Sequence, residues 1–263
     1  MTRAFQATDR TVLRIAGEDH HKFLQDLVTN SLDGLKDGLV YAALLTPQGK
    51  YLADFFLVAR DEGLLLDADA GQAADLKQRL TMYKLRAKVT IEDTGLSVVQ
   101  GWDGPQPAGA LTDPRDAELG WRLYTDAPEA ALEGLEPGDP ADWHALRVAR
   151  AVPQSGVELI PNDSFILEAG FDRLHGVDFR KGCYVGQEVT ARMRHKTELR
   201  KGLVRVEVSG EVPPGTPVEK DGKTVGTLYS NLGGYGLAHL RYDRASGPLT
   251  AGTATVLWPE AER

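Results

Sequence analysis

Short apolar runs separated by Gly- and Pro-rich turns dominate the chain, and few stretches carry the three-to-four-residue spacing of a helix. Val12-Leu13-Arg14-Ile15 predicts a short strand. After Gly17-Glu18-Asp19, the residues Phe23, Leu24, Leu27 and Val28 fall on one helical face. Residues 38–45 are strand-like and end at the turn Thr46-Pro47-Gln48-Gly49. Residues 51–59 and 63–67 flank the hairpin signal Asp61-Glu62-Gly63. Ala73, Leu76 and Leu80 predict a helix over 70–81, and strands resume over 89–91 and 96–100. Hairpins interleaved with helices predict an α+β layered body rather than a purely parallel sheet.

Gly and Pro mark loops over 103–107 and 133–140, and a helix is expected over 142–152, stopped by Pro153. Beyond Lys201 the texture changes to close-spaced strand-like runs, punctuated by Pro213-Pro214-Gly215, Asp221-Gly222-Lys223 and Gly233-Gly234. Such spacing predicts a small β-barrel or sandwich. The expected division is an α+β region over 1–200 and a β domain over 201–263.

Bulk composition narrows the chemistry. With one cysteine in 263 residues there is no internal disulfide, no CxxC zinc site and no four-cysteine cluster site within the chain. No apolar run approaches the ~20 residues that span a bilayer, and MTRAFQATDR lacks a secretory core. The expectation is a cytoplasmic protein with no membrane contact. A net charge of −8 argues against direct nucleic-acid binding. One basic run, Arg192, Arg194, His195, Lys196, Arg200 and Lys201, reads as a solvated face or as a positive rim for an anionic ligand tail or partner.

The lone Cys183 sits in Lys181-Gly182-Cys183-Tyr184-Val185-Gly186-Gln187-Glu188-Val189-Thr190-Ala191-Arg192. Thiols react as thiolates, which neighbouring cations favour, and Arg180 and Lys181 precede this one. Flanking glycines permit tight turns or a close ligand approach. Gln187 to Met193 then read as a helix start with Glu188 in its first turn. The alternative is a small buried hydrophobe, the usual fate of a single cysteine. A cysteine–histidine nucleophile with His175 or His195 matches no local signature.

This run resembles the K-G-C-[FY]-x-G-Q-E-x-x-A-R signature of the YgfZ family, folate-binding relatives of the glycine-cleavage T-protein (GcvT) that support iron–sulfur enzymes. Nine positions fit: Lys181, Gly182, Cys183, Tyr184, Gly186, Gln187, Glu188, Ala191 and Arg192. Three further segments are similar. They are Phe23-Leu24-Gln25 to Thr29-Asn30; Arg147-Val148 to Val152-Pro153, Gly156 and Glu158, with Ala151 where glycine is usual; and Gly236-Leu237-Ala238-His239-Leu240.

The resemblance implies a GcvT-like (aminomethyltransferase-like) ring of two intertwined α+β lobes and a C-terminal β-barrel, with tetrahydrofolate or another folate in the central opening. It implies Asp54 and Glu168 as cofactor-binding residues, and Cys183 as a reactive thiol that meets iron or a mixed disulfide. Lys181 and Arg180 would then favour the thiolate, while Gln187 and Arg192 hold the loop. Implied partners are iron–sulfur enzymes or assembly proteins, including radical enzymes that modify tRNA. The alternative function is a folate-dependent aminomethyl or one-carbon transferase. Transferases of this superfamily carry a second acid where Phe55 stands and a pterin-binding glutamate where Ala149 stands.

Overall fold

Strands Val40–Leu45, Tyr51–Arg60 and Gly63–Asp69 are apolar almost throughout because both faces of their sheet are covered. Val40, Ala42, Leu44, Phe55 and Leu57 pack with Val28 and with Leu24, Leu76 and Leu80 from the helices on one side. Tyr41, Ala43, Leu45, Phe56 and Leu65 face Val98, Trp102 and Tyr124 of a second sheet on the other. The first sheet is antiparallel and runs Val40–Leu45, Tyr51–Arg60, Gly63–Asp69, Arg10–Ala16, Thr90–Asp93. Helices His20–Gln25 and Ala70–Lys84 back it. The computed structural model describes residues 1–61, 63–196 and 198–259; Glu62 in the expected hairpin turn, the Lys196 side chain and residues 260–263 of the expected β domain lie outside them.

The second sheet runs Glu136–Pro137, Arg3–Gln6, Ser97–Trp102, Trp121–Thr125, Leu111–Thr112. The first strand of the chain therefore belongs to the second lobe, and residues 10–93 are inserted between it and its partners. Helix Pro140–Ala149 closes one end. Asp139 caps it by accepting from Ala141 N, and Pro140 occupies the first turn. The sequence placed this helix over 142–152. It stops earlier because Ala151 takes a left-handed φ of +54°.

From 150 to 186 the described chain forms no helix or strand and runs as successive turns. A six-stranded closed barrel follows from Lys201, ordered Lys201–Ser209, Tyr235–Arg241, Lys223–Leu232, Thr216–Lys220, Pro248–Ala251, Ala254–Leu257. The α+β body with a β-barrel agrees with the expectation from patterning. Arg3–Gln6, Trp121–Thr125 and Pro248–Ala251 were not anticipated as strands. Among the described residues, no helix is long and apolar enough to cross a membrane.

Candidate functional site

A cavity of about 260 Å³ lies between the two sheets and helix Pro140–Ala149, lined among others by Asp54, Gln100, Arg122, Trp143 and Ser155. Asp54 projects into it from strand Tyr51–Arg60 and is 4% exposed. Its Oδ2 accepts from Tyr41 Oη at 2.9 Å; its Oδ1 accepts from Tyr51 Oη at 2.6 Å and Ser155 Oγ at 2.5 Å. Burial, and then the Asp54 charge, hold both phenols well above the usual tyrosine range, so they remain donors. Three hydroxyls occupy most of the acceptor capacity of this carboxylate. Asp54 is an anchored group.

Beside it, Phe56 lies under three guanidiniums. Arg122, Arg115 and Arg10 sit 4.1, 4.7 and 5.8 Å from its ring centroid. Each is paired: Arg10 with Asp67 at 2.7 Å, Arg122 with Asp67 at 3.1 Å, and Arg115 with Asp113 at 2.8 Å. Burial pushes the Asp113 carboxyl up, but Arg115 and Arg122 outweigh it and hold the group below the usual range. Two donors in this wall have no hydrogen-bond partner among the described residues, Gln100 Nε2 and Arg122 Nε. Buried orphans of this kind are rare and call for an explanation. Neither residue was singled out from sequence. The available signal was a polar side chain inside an apolar strand, as in Val98-Val99-Gln100 and Trp121-Arg122-Leu123.

The cysteine segment is built by residues buried on either side of the thiol. Lys181 Nζ donates to the backbone carbonyls of Gln25 at 2.6 Å, Val28 at 2.5 Å and Asn30 at 3.1 Å. It therefore clamps the loop to the end of helix His20–Gln25, and its ammonium is committed there rather than offered to the thiol. Burial pulls Lys181 down to about 8, against the opposing pull of Asp178 and Asp26. Tyr184 is buried in the core with Lys181 Nζ 5.2 Å from its ring centroid. Gly186 needs its glycine, since a Cβ there would lie 2.6 Å from Thr46 O at a φ of +84°.

The other half of the motif faces outward. Gly182, Cys183, Glu188 and Arg192 are exposed. Gln187 Nε2 reaches Gly182 O at 3.5 Å, the outer limit of a hydrogen bond. Arg192 pairs with Glu188 one turn away on its own helix, so its ion pair does not grip the cysteine loop. The N-terminal motif meets this segment from below. Thr29 Oγ1 donates to Gly176 O at 2.7 Å, and Asn30 Nδ2 to His175 O at 2.7 Å. Two similar segments some 150 positions apart are thus one structural unit.

Glu168 is not brought to Asp54. It lies at the seam with the barrel, where His239 Nε2 is 3.1 Å and Lys201 Nζ 3.4 Å from its Oε2. Burial raises its carboxyl, but the His239 hydrogen bond and Lys201 prevail and hold it below the usual range. Ala149 lies outside the cavity lining, and its carbonyl accepts from Arg205 Nη1 at 3.0 Å. In the basic run, Arg194 pairs with Asp172, and Lys201 with Glu168. Among the described residues no three or more His, Cys, Asp or Glu side chains gather as a metal site.

Comparison with known proteins bears on this arrangement. The family described as CAF17, C-terminal beta-barrel domain, matches residues 200–261. The chain is 34% identical over 283 residues to the mitochondrial iron–sulfur cluster assembly factor IBA57 of Homo sapiens, covering 93% of this chain and 79% of the human one. Identity to the Mus musculus protein of that name is 33%, with the same two coverages. The homologue from Pyricularia oryzae is 33% identical, over 89% of this chain and 70% of its own. Among solved structures, the glycine cleavage system aminomethyltransferase T from Bartonella henselae superposes with a TM-score of 0.78 at 15% identity, covering 97% of this chain and 84% of that one. At that identity the likeness establishes the GcvT-like fold.

Proposed function

The chain belongs to the family of iron–sulfur cluster assembly factor IBA57, which includes the YgfZ and CAF17 proteins, and from that premise we propose that it is a cytoplasmic accessory factor for iron–sulfur proteins. The observation that carries this reading is the exposed Cys183 on a loop anchored by the Lys181 hydrogen bonds and packed closely at Gly186. The thiol would release its proton to solvent and take one coordination position on iron, with a partner protein supplying the remaining ligands. A single soft ligand suits handover more than storage. Assembly proteins and iron–sulfur enzymes, including radical enzymes that modify tRNA, are the partners this reading names.

Tetrahydrofolate is the ligand assigned to the central cavity. The volume is near the lower end of small-molecule sites, and the fold is shared with a glycine-cleavage aminomethyltransferase. A bound folate would supply one-carbon carrier chemistry. Asp54, fixed by three hydroxyls, favours holding it over reacting with it, while Ala149 in place of the expected acid removes a contact to the ring. The transferase alternative is supported by the shared fold alone.

Complementation tests the thiol. In a strain lacking this protein, Cys183→Ser should fold normally and fail to restore iron–sulfur enzyme activity. Full restoration would overturn the role of Cys183.

A further inference from the structure

The end of helix Ala70–Lys84 and the turn after it carry a surface that folding alone does not account for. Met82 and Tyr83 are exposed, and Leu85 is 88% exposed. Leu85 also takes a left-handed φ of +44°, a backbone region that favours glycine. Neither burial nor backbone preference explains a leucine there, and clustered exposed apolar side chains mark interaction sites. Tyr83 and Ala87, on either side of Leu85 in the chain, line a groove of about 350 Å³ together with Phe23 and Leu27. Its shape is set in advance. Lys88 N donates to Asp19 Oδ2 at 2.8 Å and Asp19 N to Lys88 O at 3.4 Å, which ties this turn to the start of helix His20–Gln25. A preformed groove spares a partner the cost of ordering it.

The charge of the patch selects its partner. Between Asp75 and Glu92 the chain carries five cations, Lys77, Arg79, Lys84, Arg86 and Lys88, and no carboxylate. Among the described residues, only Lys88 of these is in an ion pair, with Glu18 at 2.7 Å. On a chain of net charge −8, such a local positive field attracts an acidic partner. Asp19 and Asp26 line the same groove. A protein can set its carboxylates against Lys84 and Arg86 and spare those two acids, whereas the uniform phosphates of a nucleic acid or a lipid surface meet both. An apolar groove also takes an apolar side chain better than a phosphate.

The groove adjoins the cysteine loop. Phe23, Asp26 and Leu27 belong to helix His20–Gln25 and the turn that follows it, and Lys181 Nζ holds the carbonyls of Gln25, Val28 and Asn30 at that same end. Val185 of the motif and Ala87 of the groove pack against one core. Cys183 lies two residues beyond Lys181, at most about 7 Å of chain. An interface of ordinary size buries about 800 Å² of each partner, a patch roughly 30 Å across, and so reaches from the groove to the thiol. We propose that Tyr83, Leu85 and the groove beside them are the docking face for the protein that shares iron with Cys183. That partner presents an apolar side chain flanked by carboxylates. The proposal rests on the reading of Cys183 as an iron ligand and adds the surface that brings the partner to it.

In the strain lacking this protein, Leu85→Glu, Leu85→Gly and the double change Lys84→Glu with Arg86→Glu should each lower the restored iron–sulfur enzyme activity by about tenfold or more. Leu85→Gly relieves the left-handed backbone, so its melting temperature should be no lower than that of the wild type. Loss of function in a protein at least as stable separates docking from folding. Leu257→Glu, at an exposed apolar position on the barrel, should restore activity fully. A benzophenone amino acid at position 85 of the full chain, irradiated in cells, should crosslink to an acidic iron–sulfur protein, and the double change should cut that product by about tenfold. Full restoration by all three variants would overturn the docking face, while failure of Cys183→Ser in the same strain would leave the thiol reading standing. Crosslinks only to tRNA, lipid or a basic protein, or none, would also overturn it. Loss in the Leu85 variants beside full restoration by Cys183→Ser would overturn the reading of the thiol and leave the face a docking site.

Discussion

Gly186 of the cysteine loop rests on Gly49 of the Thr46–Gly49 turn, so that a Cβ on Gly186 would lie 3.1 Å from the Gly49 Cα. This contact joins the two candidate sites, because strand Tyr51–Arg60, which carries Asp54, begins two residues beyond that turn. Gly186→Ala must relieve a clash with Thr46 O and adopt a left-handed backbone. It should cost roughly 2–4 kcal/mol in urea unfolding. Gly182→Ala should change stability by less than about 0.5 kcal/mol, since nothing lies within 4 Å of its added carbon. A loss of iron–sulfur enzyme activity in Gly182→Ala would then report on the surface around Cys183 and not on the fold.

Lys181 gives the clamp a pH signature. The folded lysine titrates near 8, whereas an unfolded one keeps its proton to about 10.4. Between those values the unfolded chain binds more protons, so this group contributes more to stability as pH rises and less as pH falls through 8. The stability difference between the wild type and Lys181→Met should therefore grow from pH 7.5 to 9.5 in denaturant titrations. A flat difference would show that Lys181 is not desolvated.

Arg147 binds Val152 O at 3.1 Å, Glu158 Oε2 at 3.2 Å and Ser230 Oγ at 2.8 Å, so one buried side chain ties the turn-rich segment to the barrel. Arg147→Met leaves Glu158 buried without its counter-ion and should cost about 3–5 kcal/mol. Adding Glu158→Gln should recover part of that loss, because the stranded charge is removed. Chemical denaturation of the two variants measures both effects.

Ala151 holds a φ of +54°, a backbone region that favours glycine. Ala151→Gly should gain about 1 kcal/mol by relieving that backbone. The melting temperature should rise by about 2–4 °C.

The sequence read the first sheet and the barrel well because each follows a local rule. Tyr41, Ala43 and Leu45 alternate with Val40, Ala42 and Leu44 between two separate cores. Turn signals such as Asp221-Gly222 fall between barrel strands. Other features depend on partners remote in the chain. Arg3–Gln6 is only four residues long and is a strand because Ser97–Trp102 pairs with it. Lys181 beside a cysteine reads as a cation for the thiolate; only the fold directs it to the carbonyls of Gln25, Val28 and Asn30. Gln100 and Arg122 resemble minor interruptions of apolar strands until the opposing sheet encloses them.

The placement of the first strand bears on how such a chain is made and inherited. Thr2 Oγ1 bonds Pro105 O across 103 positions, and the intervening residues build almost all of the other lobe. During synthesis the opening residues must wait for the second sheet to emerge, and closing so long a loop carries an entropic cost. A gene split near residue 96 would leave the second sheet without an inner strand, while the first fragment would carry that strand with no partners. Recombination that exchanged one lobe would damage its neighbour, so the two lobes descend together.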